Sequence, residues 1–257
     1  MMLDLHCHIL PGIDDGARSW EDSLAIARLA VEEGITHLLA TPHHLNGRLE
    51  NKKQAVIALT DGLQERLDAE GIPLRVFPCQ EVRVSGEIMA GIAQDEILFI
   101  DEGERYLLLE FPTVSIPHYV DQLFFNLQQK GITPVIVHPE RNQEIIENPN
   151  KLLAYVERGA LAQVTASSYI GVFGKDIAEL SKQLIEANLV HILASDAHNT
   201  RGRAFHMQEA FQLLEKDFGK EKVQQFQQTA KNLLNGDLVE PESPQKVRRK
   251  KKWFGLF

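Results

Sequence analysis

The chain's 257 residues are 44% hydrophobic and 25% charged, the composition of an ordinary soluble globular protein with room for one sizeable core. No apolar run approaches the ~18–20 residues that span a bilayer, no basic-then-apolar leader opens the chain, and two cysteines make no disulfide framework, so a reducing cytoplasm is expected. Six basic residues crowd into 246–252, so the formal charge of −9 understates the acidity of the body, which suits a cation-collecting site and excludes sequence-independent binding to nucleic acid.

The chain opens on a predicted strand at 3–6, and six more follow at 37–41, 74–81, 106–111, 134–138, 161–165 and 191–195. Helical stretches separate them at 20–33, 51–69, 86–93, 118–130, 149–158 and 175–187, and two more close the series at 203–218 and 220–235. Four times, at Gly34, Gly71, Gly131 and Gly159, a helix ends on glycine and runs directly into apolar chain. Glycine there is the expected left-handed cap, and helix–glycine–strand in this order describes an α/β chain with parallel strands. Seven alternations fall one short of the eight-stranded form. The expected fold is therefore a distorted (β/α)7 TIM-like barrel occupying residues 1–236.

Metal-type side chains fall at the C-terminal ends of these strands, the rim on which the loops of a parallel barrel converge. The first strand ends in His6 and His8, with Asp14 and Asp15 on the loop beyond. In extended chain, residues i and i+2 point the same way, so both imidazoles can reach one ion while Cys7 points away. A lone strand-end histidine is more often structural than ligating; a pair with carboxylates behind it is not. The second strand ends Thr41-Pro42-His43-His44, and its two histidines point to opposite sides. Glu81 ends the third strand. Glu110 closes the apolar run Leu107-Leu108-Leu109, where a carboxylate is costly to bury unless it meets a cation. The same reasoning covers His138 after Val135-Ile136-Val137. Asp196 and His198 repeat the i, i+2 pattern after the seventh strand. The sixth strand, ending Gln163-Val164-Thr165, offers no ligand.

Arg141 follows His138 by three residues and Arg203 follows His198 by five. Guanidinium groups present planar donors that match phosphate oxygens, so two of them just beyond ligand-bearing strands imply an anionic substrate; Arg201 is the less favoured neighbour. His37, His118, His191 and His206 stand at strand starts or on helices and read as packing or solvated residues. Neither cysteine begins a Cys-x5-Arg phosphate loop, since Ile13 and Ser85 occupy the sixth places after Cys7 and Cys79. Residues 237–257 read as a flexible, proline-bearing linker followed by a basic and aromatic tail, Arg248-Arg249-Lys250-Lys251-Lys252-Trp253-Phe254 and onward. Such a tail suits contact with an anionic membrane surface.

The ordered set His6, His8, Asp15, His43, Glu81, Glu110, His138, Asp196 and His198 resembles the PHP superfamily, the polymerase and histidinol phosphatase group. More narrowly, the strings Asp4-Leu5-His6-Cys7-His8-Ile9-Leu10, Ile13-Asp14-Asp15-Gly16, Ala40-Thr41-Pro42-His43, Leu109-Glu110-Phe111, His138-Pro139-Glu140-Arg141 and Ser195-Asp196-Ala197-His198-Asn199 are similar to the CpsB/CapC family. These are bacterial protein-tyrosine phosphatases linked to capsule and exopolysaccharide. The resemblance runs over about residues 2–235. It implies the PHP form of the (β/α)7 barrel and up to three divalent ions, commonly Mn(2+). It selects Asp15 over Asp14 and His43 over His44, and it makes Arg141 and Arg203 the phosphate binders. Glu110, between histidine ligands, is the expected bridge between two ions. Many PHP proteins carry a Cys or His ligand after the sixth strand; Thr165 stands there, which favours the tyrosine-phosphatase branch over a histidinol-phosphatase-like enzyme for small molecules. The implied substrate is a phosphotyrosine protein such as a membrane-associated bacterial tyrosine kinase, reached in the cytoplasm or at the inner face of the membrane. A regulator that grips a phosphotyrosine tail without turnover is the competing reading from another class.

Overall fold

The computed structural model describes residues 2–248. Its strands are β1 (Met2–Cys7), β2 (Ile35–Ala40), β3 (His43–His44), β4 (Arg75–Pro78), β5 (Glu81–Arg83), β6 (Tyr106–Glu110), β7 (Thr133–Val137), β8 (Leu161–Thr165) and β9 (Ile192–Ala194). They are covered by helices α1 (Trp20–Glu32), α2 (Lys53–Ala69), α3 (Ile88–Ala93), α4 (Val120–Gln129), α5 (Gln143–Glu147), α6 (Asn150–Val156), α7 (Ala166–Ile170), α8 (Lys175–Glu186), α9 (Met207–Phe218) and α10 (Lys220–Asn235). None is long and apolar enough to cross a membrane.

Nine strands occupy seven positions. Two of the expected strands are broken, at Thr41-Pro42 and at Cys79-Gln80, so that β2 continues as β3 and β4 as β5. Proline cannot donate to a ladder, and Pro42 stands at the first break; Pro134, by contrast, is accommodated within β7. All pairings are parallel, in the orders β1-β2-β4 and β3-β5-β6-β7-β8-β9. The seventh position returns to the first: Asp196 N–H donates to His6 O at 2.9 Å, and His8 N–H to Ala197 O at 2.8 Å. Asp4, buried in β1, reinforces that seam by accepting from Ser195 Oγ at 2.5 Å and Ser195 N at 2.9 Å. The four junction glycines take the left-handed conformation expected of them, with φ of 83°, 65°, 78° and 91°.

Alternation along the strands sorts the side chains. Tyr106, Leu108, Val135, Val137, Leu161 and Ile192 form an inner cluster, which Ala230 and Leu233 of α10 close from below. Leu107, Leu109 and Ile136 face the helices instead. Two steps beyond Leu108 the inward position is Glu110, and two beyond Cys79 it is Glu81. In β1 the register shifts between Asp4 and Cys7. That irregularity lets Leu5 join the inner cluster and His6 still face the site, which strict alternation forbids. The apolar column is thus a dry floor under a polar rim.

Residues 237–248 have the irregular backbone expected of a linker, yet they lie along the barrel. Tyr106 Oη donates to Asp237 O at 2.7 Å, Gln245 N to Ala187 O at 2.8 Å, and Val247, itself buried, donates from its N to Asn150 Oδ1 at 2.9 Å. The basic and aromatic residues expected to follow, from Arg249 onward, lie outside the described residues.

Candidate metal centre and phosphate pocket

Backbone pairing sets candidate ligand His43 against Glu81, and places Arg83 beside candidate ligand Glu110. Two further candidates, His138 (φ 34°) and Asp196 (φ 54°), turn off their strand ends in the left-handed region. For residues other than glycine that conformation costs about 1–3 kcal/mol and is held only where the surroundings over-determine it. The loop carrying Asp14 and Asp15 is pressed onto β1. A Cβ added at Gly16 would stand 2.0 Å from His8 O, so only glycine fits there.

Glu81 is the centre of the cluster. Its Oε2 lies 2.8 Å from His43 Nδ1, 3.3 Å from His8 Nε2 and 3.4 Å from His6 Nε2, while Oε1 lies 2.7 Å from His138 Nε2. Asp196 Oδ1 faces the same two nitrogens, at 3.4 Å from His6 and 3.3 Å from His8. Asp15 Oδ1 lies 3.2 Å from His198 Nε2 and 3.4 Å from His43 Nε2. Glu110 is farther out, 3.8 Å from His43 Nδ1. Three groupings result: His8, Asp15, His43 and His198; His6, His8 and Glu81; and His43, Glu81 and Glu110. His138 and Asp196 adjoin them through Glu81 and through the His6–His8 pair. Glu81, like His8 and His43, enters two groupings, whereas Glu110, the expected bridge, enters one and stands at the edge of the cluster.

Hydrogen bonding on the far side of each ring decides what the near side offers. His6 Nδ1 is 2.9 Å from Gln163 Oε1, His8 Nδ1 is 2.7 Å from Asp14 Oδ2, and His198 Nδ1 is 2.9 Å from Asp196 O. Each partner is an acceptor, so Nδ1 carries a proton, and Nε2 is the nitrogen left to ligate once the ring is neutral. Yet His6 Nε2 and His8 Nε2 stand only 3.2 Å apart, and His198 Nε2 points at a carboxylate. Nitrogens this close need a proton or a metal ion between them. Glu81 Oε2, Asp196 Oδ1, His43 Nδ1 and His198 Nε2 are buried and meet only one another and the neighbouring rings, in poor hydrogen-bond geometry. Imidazole and carboxylate donors, with no thiolate among them, fit first-row divalent ions. Cys7 and Cys79 are free and buried, and burial pushes Cys7 well above the usual thiol range and Cys79 up to about 12.

Charge follows the same geometry. Burial opposes ionisation of Glu81 and Asp196, but His6 with His138, and Arg141 with His6, outweigh it and hold both carboxylates well below their usual range. Glu110 is pushed up to about 7 by burial and by repulsion from Glu81. Burial opposes charge on His43, yet Asp15 and Glu81 raise it to about 10, while burial and Arg141 push His138 down to about 4.

The second oxygen of Asp196 belongs to the arginines. Oδ2 accepts from Arg141 Nη2 at 2.5 Å and from Arg203 Nη2 at 3.0 Å, and Arg203 Nη1 also reaches Asp15 Oδ2 at 3.2 Å. Arg141 Nε is buried without a partner. Both guanidinium groups line a cavity of about 250 Å³ with His43, Glu81, Glu110 and His138. Arg203 was expected to start a helix, but α9 begins at Met207. Asn199 Oδ1 accepts from Arg201 N and Arg203 N, and His198 N donates to Arg203 O, so a turn takes up that backbone and leaves Arg203 on the rim.

Three participants were not foreseen. Arg83 lines the same cavity and binds Glu110 Oε2 through Nε at 2.8 Å. Asp14, set aside as a ligand, orients His8, and Gln163 orients His6 from the strand that offers no ligand. The i, i+2 alternation before Glu110 and its neighbours pointed inward for Gln163; nothing in the local sequence marks Arg83. His44 is buried away from the cluster, and His191 Nδ1 accepts from Ala162 N at 3.0 Å as a packing residue. A larger cavity, about 660 Å³, lies among Leu3, His37, Phe77 and Leu234 of the barrel base, where no three metal-type side chains converge among the described residues.

Residues 2–235 match the family model described as "Capsular polysaccharide synthesis, CpsB/CapC". The chain is 48% identical to the tyrosine-protein phosphatase YwqE of Bacillus subtilis, with both chains covered in full, and 25% identical to the tyrosine-protein phosphatase CpsB of Streptococcus pneumoniae, over 88% of this chain and 94% of that one. A crystal structure from work on YwqE and CpsB, there called unique metal-dependent tyrosine phosphatases, superposes with a TM-score of 0.93 at 48% identity, over 96% of this chain and all of the other. A β-aspartyl dipeptidase of Fervidobacterium islandicum shares the fold alone, with a TM-score of 0.52 at 16% identity over 96% of this chain and 77% of that one.

Proposed function

Because the chain belongs to the CpsB/CapC family of capsular polysaccharide synthesis proteins, we propose that it is a metal-dependent protein-tyrosine phosphatase acting in capsule or exopolysaccharide regulation. The observation that carries this reading is the division of Asp196. One oxygen faces His6 and His8, and the other holds Arg141 and Arg203, so a cation site and an anion site share a single carboxylate.

His6, His8, Asp15, His43, Glu81, Glu110, His138, Asp196 and His198 would hold the ions, up to three of them, one for each grouping, with Mn(2+) suited to a carboxylate-rich imidazole set. Divalent ions bound there lower the pKa of water to near neutrality and align phosphoryl oxygens. The protein's own part is orientation and charge. Gln163 and Asp14 fix the tautomers of His6 and His8. Arg141 and Arg203 neutralise the oxygens of the transferring phosphoryl group. The apolar column beneath keeps bulk water from the cluster. Tyrosinate, with a reference pKa of about 10, leaves without a strong general acid. Thiol catalysis is excluded by two buried cysteines, neither followed by a phosphate loop.

The substrate would be a phosphotyrosine segment of a membrane-associated tyrosine kinase, met in the cytoplasm or at the inner membrane face. Residues 1–236 form the catalytic unit in this reading, and the basic–aromatic tail adds peripheral membrane contact. Phosphate release from a phosphotyrosine peptide, measured beside metal content with and without chelator, tests the proposal. Full activity after chelation, or turnover of histidinol phosphate but not of the peptide, refutes it.

A further inference from the structure

We propose that the turn from Gly171 to Gly174 is the element that recognises the phenyl ring of the substrate, with Phe173 packed against that ring; the proposal rests on the phosphotyrosine reading above. α7 ends at Gly171 (φ 94°), and the turn closes at Gly174 (φ 101°), whose N–H donates to Gly171 O at 3.0 Å. The two glycines hold Val172 and Phe173 out at the end of the loop after β8, on the rim side of the barrel. Phe173 is 38% exposed. Single exposed hydrophobics are ordinary on a surface, so its place decides the matter.

The Phe173 ring centre lies 5.7 Å from the guanidinium carbon of Arg141, the side chain whose buried Nε has no partner. An anion accepted by Arg141 therefore carries its organic substituent within reach of Phe173. The rim repeats this character elsewhere: Val114 and Tyr119, on the loop after β6, are also exposed. Of the six large hydrophobics exposed among the described residues, Val114, Tyr119, Val172 and Phe173 stand on two of the loops that leave the rim. An aryl group offers a face that can stack on Phe173, whereas the methylene of a serine phosphate offers none.

Calorimetric titration of the metal-loaded full chain with phenylphosphonate, methylphosphonate and inorganic phosphate tests the proposal. The wild type should prefer phenylphosphonate to methylphosphonate by about three- to tenfold, the worth of one aromatic contact. Phe173→Ala should bring that ratio close to one while its phosphate affinity stays within about twofold of wild type, and Phe173→Tyr should keep the preference. The kcat/KM of Phe173→Ala on a phosphotyrosine peptide should fall by the same factor. An unchanged ratio in Phe173→Ala overturns the proposal. So does an equal loss for all three ligands, which would make Phe173 only a prop for Arg141. Failure of the metal-loaded wild type to dephosphorylate the peptide, with the phenyl preference intact, would instead overturn the phosphatase reading.

Discussion

Replacing Arg141 by alanine separates the capture of phosphate from the capture of cations. The guanidinium is mostly buried, one arm bound to Asp196 Oδ2 and Nε free of any protein partner. A hydrogen bond to a charged group contributes about 1.5–3 kcal/mol, so losing this donor should weaken phosphate binding by about ten- to 150-fold. Metal content should hold. Removing a cation from beside Asp196 takes a competitor away from that carboxylate and leaves all of the proposed ligands in place. Arg203 is more exposed and shared between Asp15 and Asp196, so water can substitute for part of it. Arg203→Ala should cost closer to 1 kcal/mol, about fivefold. Phosphate affinity is read by competitive inhibition of peptide dephosphorylation and by calorimetry, and metal by elemental analysis of the same samples. A variant that loses metal while binding phosphate as before would refute the division of labour, and so would a larger loss from Arg203→Ala than from Arg141→Ala.

His6→Ala, Glu110→Ala and Asp196→Ala should each reduce bound metal and lower turnover by several orders of magnitude; full metal content with near-normal turnover in Asp196→Ala would contradict the ligand assignment. Asp14→Ala should leave every ligand present yet weaken metal affinity by about 10–100-fold, because His8 loses the acceptor that orients it, and a metal-binding isotherm matching the wild type would count against that role. Metal uptake should release protons and tighten as pH rises. Burial opposes charge on His6, His8 and His43, but nearby carboxylates raise all three, and a protonated ring cannot ligate, so raising the pH removes the competitor. Heats of binding that do not vary with the ionisation enthalpy of the buffer would refute this. The full chain should sediment with anionic vesicles in low salt and be released in high salt, while a chain ending at Arg248, which keeps the Val247–Asn150 pair, should stay in solution; equal sedimentation of both forms would leave the tail without a membrane role.

Periodicity and glycine placement carried the fold. The four helix–glycine–strand junctions were legible because only a left-handed cap needs that residue in that place. The short elements were not: α5 and α7 are five residues each, too brief to show a helical period, and α7 continues straight out of β8. The breaks after Ala40 and Pro78 had a local cause in Pro42 and Pro78, but the parallel partners that accept the interrupted chain are remote in sequence. The site was legible for the side chains whose chemistry is unusual at a strand end. It was illegible for Arg83, an ordinary surface type of residue whose role exists only because β5 and β6 pair in register at Glu110.

The different surroundings of Glu81 and Glu110 show where sequence reasoning stops and why. Both are acids at inward strand ends, and the purely apolar run before Glu110 made it the more conspicuous. What decides the centre of the cluster is how many nitrogens each carboxylate meets. Glu81 follows the break at Cys79-Gln80, where Gln80 Oε1 accepts from Leu98 N at 2.7 Å and pins the chain. Its two oxygens then face four histidines from the first, second and fifth strand positions, whereas Glu110 meets His43 at 3.8 Å and is drawn outward by Arg83. The electrostatics agree with the geometry: Glu81 stays ionised because histidines surround it, and that same charge pushes Glu110 up to about 7. Two carboxylates so close cannot both remain charged at low cost without cations between them. The arginine beside Glu110 and the histidines around Glu81 supply positive charge to that pair, and a divalent ion bound by the proposed ligands would supply more.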